Sequence, residues 1–186
     1  MLLPVILEKP TTLAVSLEDT KKHLDVFGFN DDDNQITDII QAATQNLEKT
    51  LNLTLNKTKF FQYFKTFENV LRLSIFPIIN IEKITYRNEN NEEQTLDKNS
   101  YQLIETINGS YVCVKGHRPK TNNEIDAIKI FFYGGYEGDD IPPSLKAAML
   151  LHIGSLYEHR EDLSNTKPIS TDAYNALIWP YRRPKV

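Results

Sequence analysis

The stretch Ile141-Pro142-Pro143-Ser144-Leu145-Lys146-Ala147-Ala148-Met149-Leu150-Leu151-His152-Ile153-Gly154-Ser155-Leu156-Tyr157-Glu158-His159-Arg160 decides the fold of this chain. Proline is tolerated in a first helical turn because its missing N–H would be unpaired there anyway, so Pro142-Pro143 reads as a helix start. Leu145, Ala147, Ala148, Met149, Leu150, Leu151, Ile153, Gly154, Leu156 and Tyr157 then cover nearly the whole circumference. A helix that is apolar all round is expected to be buried all round. Interrupted by Lys146 and His152, it falls short of a membrane span, which needs roughly 20 predominantly apolar residues. The helix from Pro142 to Arg160 therefore needs cover from other helices, a sheet or neighbouring subunits.

Upstream of that helix the apolar period is two, and further upstream it is again helical. Leu71-Arg72-Leu73-Ser74-Ile75, Ile79-Asn80-Ile81-Glu82 and Ile84-Thr85-Tyr86 alternate, as half-buried strands do. Thr58 to Phe67 is dense in aromatics, Tyr101 to Ile104 and Tyr111 to Val114 read as strands around an Asn108-Gly109 turn, and Ala127 to Tyr133 closes the set. Strands joined by short turns predict an antiparallel sheet rather than βαβ units. Before them, Ser16-Leu17-Glu18-Asp19 has the form of a capping box, opening a short helix with Leu17, Thr20, Lys21 and Leu24 on one face. Asp31-Asp32-Asp33-Asn34 opens a second, in which Ile36, Ile39, Ile40, Ala43, Leu47 and Leu51 form one stripe. Residues 1–15 read as an extended arm. After Lys167-Pro168 a short helix is expected around Thr171 to Ile178. The predicted fold is α+β: a small helical bundle (two N-terminal helices, the long buried helix and a short C-terminal helix) with an antiparallel β insert between the second and third helices. It is read as one domain over 1–186, with helices in 16–56, the β insert in 57–140, and the buried helix, short helix and tail in 141–186.

Composition narrows the function. Of 186 residues, 40% are hydrophobic and 25% charged, ordinary for a chain that buries a core. The single cysteine, Cys113, excludes an internal disulfide framework and fits a reducing compartment. The apolar start Met1 to Leu7 lacks a basic flank, so a secretory signal is not expected and synthesis in the cytoplasm is. Net charge is −4, distributed as −5 over residues 1–56, −1 over 57–140 and +2 over 141–186. A protein that grips nucleic acid through phosphates needs a basic face, and only Arg182, Arg183 and Lys185 hint at one.

Catalytic signatures are missing. The chain has no Walker loop, no dinucleotide glycine fingerprint, no H-E-x-x-H and no G-x-S-x-G. Counting from Asp31, a calcium loop would need glycine where Ile36 stands and glutamate where Ala42 stands, so the acids read as partners of a helix N-terminus. His152 and His159, with Glu158 and Glu161 nearby, could seed a metal site, but two imidazoles match no recognised pattern; His152 reads as a packed core residue. Cys113 reads as a small buried hydrophobe. The strand Phe60-Phe61-Gln62-Tyr63-Phe64 could be a base-stacking platform, although sparse interleaved lysines favour a sheet core or subunit contact. No cofactor or metal is expected. Tyr157-Glu158-His159-Arg160-Glu161 and Trp179-Pro180-Tyr181-Arg182-Arg183 combine aromatics and charge in the manner of interface hot spots.

Taken in order, these segments resemble the head–tail connector, or adaptor, family of long-tailed bacteriophages and related gene-transfer particles. Val15 to Leu24 resembles the family's opening helix, and Asp33, Ile36, Ile39-Ile40, Ala42-Ala43 and Leu47-Glu48 its second. Leu73 to Pro77, Ile81 to Tyr86, Gln94 to Leu96 and Tyr101 to Leu103 resemble the strand insert of longer members. The most specific block runs through Tyr133-Gly134-Gly135-Tyr136, Ile141 to Ala148 and Leu156 to Glu161; Leu177 to Arg182 resembles the closing helix. Two features depart from the pattern: Leu51-Asn52-Leu53 replaces the glycine often found after the second helix, and a tryptophan before the last strand is absent.

The resemblance implies a non-enzymatic ring subunit, typically one of twelve, bound beneath the portal of a DNA-filled head. The ring extends the DNA channel and offers a platform for the stopper or tail-completion protein. Double-stranded DNA passes without sequence-specific binding and no membrane is involved. Assembly takes place in the bacterial host cytoplasm and the product sits at the virion head–tail junction. The expected subunit or portal interface comprises Tyr157, Glu158, Arg160, Trp179, Tyr181, Arg182 and Arg183. The alternative reading is a nucleic-acid-binding module using the aromatic strand and the basic tail.

Overall fold

The computed structural model describes residues 2–106, 109–159 and 172–182. The α+β class holds. The chain divides into two compact units: Thr11–Leu55 with Gly138–Val186, which is helical, and Met1–Pro10 with Asn56–Glu137, which is β.

In the helical unit, α1 (Leu17–His23) starts as its sequence dictates. The Ser16 hydroxyl oxygen accepts from the Asp19 N–H at 3.0 Å and donates to the Asp19 carboxylate at 2.7 Å. Helix α2 (Asp33–Leu51) buries Ile36, Ile40, Ala43, Leu47 and Leu51, the stripe that its 3.6-residue period places on one side. It ends on Asn52 in the left-handed region (φ 54°) with its N–H returned to the Glu48 carbonyl. Asparagine tolerates this conformation, so the turn survives without glycine. Helices α3 (Pro143–Glu158) and α4 (Asp172–Ile178) complete the unit, α4 running into a 3₁₀ turn at Trp179–Tyr181. Helix α3 packs against α1, α2 and α4.

All-round burial of α3 is not observed. Leu145, Ala148, Met149 and Ile153 are buried, whereas Leu151 and Leu156 are 38% and 37% exposed. The physical reason is geometric: the neighbouring helices cover one stripe of a cylinder whose sequence is apolar on every side.

The β unit departs from a single insert. Its described strands are β1 (Val5–Glu8), β2 (Thr58–Phe64), β3 (Val70–Leu73), β4 (Ile78–Arg87), β5 (Glu93–Thr95), β6 (Tyr101–Thr106), β7 (Gly109–Val114) and β8 (Ile128–Gly134). They form two antiparallel sheets, ordered β1-β2-β8-β4-β5 and β3-β7-β6. Part of the expected N-terminal arm is thus a strand, with Val5 opposite Phe61 and Ile6 opposite Phe60. Central strand β8 alternates: Ile128, Ile130 and Phe132 are buried and join a core containing Phe60, Leu71, Leu73, Ile84 and Val112. That core draws on both sheets, so each supplies one apolar face to the other.

Polar side chains join the sheets. Gln62, fully buried, donates from Nε2 to the Arg72 carbonyl at 3.3 Å and accepts from the Ser74 N–H at 3.1 Å. It occupies backbone groups at the edge of β3 that a strand neighbour would otherwise take. The Glu105 carboxylate accepts from the Ile78 N–H at 2.9 Å and from the Ser110 hydroxyl at 3.3 Å. Gly135 is required by contact as well as conformation. At φ 102°, a Cβ there would lie 2.3 Å from the Asn56 carbonyl oxygen.

Candidate assembly interface

The acid run that opens α2 organises the helical unit around α3. Lys21, buried on α1, donates to Asn30 Oδ1 at 2.6 Å and to Asp33 Oδ1 at 2.7 Å. The Tyr157 hydroxyl, at the end of α3, donates to Asp32 Oδ2 at 2.8 Å. Two carboxylates from one helix start therefore hold two other helices. A lysine this deeply buried needs such partners, because an isolated buried charge costs several kcal/mol.

The expected interface residues fall into three groups. Tyr157 and Tyr181 are half-buried and commit their hydroxyls inside the subunit, Tyr181 sharing a 2.9 Å hydrogen bond with Ser144. Glu158, Trp179 and Arg182 are exposed, Trp179 at 68%. The Arg182 guanidinium lies 5.4 Å from the Trp179 ring centroid and donates to Asn175 Oδ1 at 2.9 Å, so the pair is held as a flat amphipathic unit. Arg160 and Arg183 lie outside the described residues.

Histidine chemistry does not gather here. His152 is half-buried against α4, its ring edge-on to Tyr174 at 5.7 Å. Burial lowers its pKa from 6.5, and its Nδ1 has no hydrogen-bond partner among the described residues. His159 is exposed at the C-cap with Nδ1 3.1 Å from the Ser155 carbonyl. Among the described residues no group of three or more potential ligands could hold a metal ion, and no helix is long and apolar enough to cross a membrane. Cys113 is half-buried, opposite Val70 and Gln102, rather than enclosed in the core.

The aromatic strand is no open stacking platform. Phe60 points into the core, with its ring stacked on Phe132 at 5.7 Å. On the other face of the same sheet, the Lys129 ammonium sits 4.1 Å from the Phe61 centroid, 4.8 Å from Phe131 and 5.6 Å from Tyr63. Lys83 lies 4.9 Å from Phe131, and Lys57 and Lys59 approach Tyr133 at 5.2 and 5.6 Å. Rings covered by ammonium groups are engaged in cation–π contacts and do not offer free faces to bases.

Residue patterns alone did not mark two pairs of exposed apolar side chains in the helical unit. These are Leu151 and Leu156 on α3, and Phe27 and Phe29 between α1 and α2. The signal for the second pair is present in the sequence: two phenylalanines bracketing Gly28 inside an otherwise polar connection.

The family described as phage gp6-like head-tail connector protein matches residues 14–117. No curated protein matches the chain. Three solved structures share the fold at low identity. One, described as the neck of an empty GTA particle computed with C6 symmetry, has 16% identity and a TM-score of 0.81. A second, the virion of a native gene transfer agent (GTA) particle, has 18% and 0.78. A third, the neck of a native GTA particle computed with C12 symmetry, has 17% and 0.74. Each match covers 100% of this chain and 97% of the other.

Proposed function

From its membership of the phage gp6-like head–tail connector family, we propose that this chain is a ring subunit that docks beneath the portal, extends the DNA channel and presents a platform to the stopper or tail-completion protein. A structural, non-enzymatic role is what the family points to. The observation that carries the ring reading is the incomplete cover of α3. Leu151 and Leu156 are 38% and 37% exposed, about 140° apart around a helix that is apolar on every side, and apolar side chains left open on two sides suit a helix that a neighbouring molecule covers.

Twelve subunits satisfy both the C6 and the C12 symmetry with which the similar neck structures were computed. In a closed ring each contact is heterologous, one face of a subunit meeting a different face of the next. Leu151, Leu156 and Glu158 supply the seam in this reading. Trp179 and Arg182, with Arg160, Arg183 and the anchoring Tyr157 and Tyr181, supply the seam or the portal contact. The net charge of −4 suits a wall past which DNA slides without sequence-specific grip. The subunit assembles in the host cytoplasm and ends in the neck of the particle.

Electron microscopy of assembled particles tests the proposal. A ring of this chain between portal and tail is expected. Particles whose portal–tail junction lacks the chain would reject it.

A further inference from the structure

The helical unit carries an aromatic projection and the β unit an apolar cavity, and their sizes and charges match. Between α1 and α2, Phe27 and Phe29 are 68% and 51% exposed. Phe27 is steadied by the Lys22 ammonium at 5.7 Å from its ring centroid. Exposed Asp25 and Asp31 flank the pair. Two large rings held out on a short connection are costly in water and have the composition of an interface hot spot.

The cavity holds about 310 Å³. That is room for roughly ten waters at about 30 Å³ each, and hence for two aromatic rings. Leu71 and Phe64 line it beside Leu2, Val70 and Ile125, the last three exposed. Its charged lining is Lys65, Arg72 and Glu68, net positive and so opposite in sign to the two carboxylates that flank the projection.

Resting on the ring reading, we propose that the Phe27-Gly28-Phe29 projection of one subunit seats in the Leu2–Val70–Ile125 cavity of the next. The occupant is a second copy because the chain itself supplies both halves. They differ in shape and are opposite in charge, as a heterologous contact requires.

The test is cross-linking in assembled particles with a short bis-maleimide. The chain carries Phe29→Cys and Ile125→Cys together in a Cys113→Ser background. A ladder of cross-linked multimers of this chain is expected, with none from either single-cysteine variant. Cross-links to a different protein, or no ladder while microscopy still shows the chain in the neck, overturn the inference and leave the connector reading standing. Absence of the unsubstituted chain from the neck overturns the connector reading, and the inference with it. A second variant guards against a poorly placed cysteine. Phe27→Ala with Phe29→Ala is expected to lower incorporation into particles about tenfold or more while the thermal midpoint of the free chain stays within about 2 °C. Unchanged incorporation overturns the inference.

Discussion

The two units of this molecule handle aromatic surface in opposite ways, although the β unit also leaves aliphatic side chains such as Leu3 and Ile125 exposed. The β unit draws its aromatics inward or covers them: Phe60 and Phe132 stack in a core built from two sheets, and lysines lie over Phe61, Tyr63 and Phe131. Its buried Gln62 and the carboxylate of Glu105 take up backbone donors and acceptors that the sheets would leave open. The helical unit is held by specific polar latches, Lys21 to Asp33 and Tyr157 to Asp32. Yet it leaves Phe27, Phe29 and Trp179 mostly in solvent and Leu151 and Leu156 only partly covered. A unit so well latched is not short of the means to fold. We propose that its uncovered side chains belong to contacts that another molecule completes.

Substitutions on one helix test this contrast most strongly. Ile153→Ala removes a fully buried side chain of α3 and should cost about 2–5 kcal/mol, read from denaturant unfolding. Leu151→Ala, two residues away, should cost less than about 1 kcal/mol while impairing assembly. Equal costs would mean that the flank of α3 is core after all.

In the β unit, Gly135→Ala should cost about 2–3 kcal/mol through its left-handed backbone and the collision with Asn56. Gly138→Ala, which also has positive φ but meets open space, should cost about 1 kcal/mol. If the two lower the thermal midpoint equally, contact plays no part and only conformation matters.

Lys21→Ala should destabilise the helical unit by about 1–3 kcal/mol, because Asp33 and Asn30 lose a buried donor. Asp33 is itself partly exposed, which keeps the figure below that for a fully enclosed pair. A loss under about 0.5 kcal/mol would show that the latch is ornamental.

The smallest effect is the pH dependence at His152. Burial lowers its folded pKa below 6.5, so the unfolded chain takes up the proton first. Stability is therefore full above pH 6.5 and falls as pH drops from 6.5 toward the folded value, with a slope of at most about 1.4 kcal/mol per pH unit. His152→Gln should flatten the slope between pH 7 and pH 5. An unaltered slope would place the titration elsewhere.

Much of the fold was legible because its signals are local. The Ser16 cap, the Ile36-to-Leu51 stripe and the alternation in β8 each depend on residues a few positions apart. The division into two sheets was not legible. It depends on pairings such as Phe61 with Phe131 and Leu71 with Val112, which no local period encodes. All-round apolarity of α3 was read correctly as composition, but composition cannot say which molecule supplies the cover. The hydroxyl partners of Tyr157 and Tyr181, Asp32 and Ser144, were not legible because they lie far away in sequence. Phe27 and Phe29 were passed over because two aromatics in a loop form no periodic pattern.

The central claim is that the exposed side of α3 is covered by a neighbour in the assembled particle. A Leu151→Cys chain in a Cys113→Ser background, labelled with a water-soluble maleimide, tests it directly. The account predicts rapid labelling of the free subunit and labelling at least about tenfold slower in particles that carry it in the neck. Equal rates in the two states, with the chain present in the neck, would contradict it.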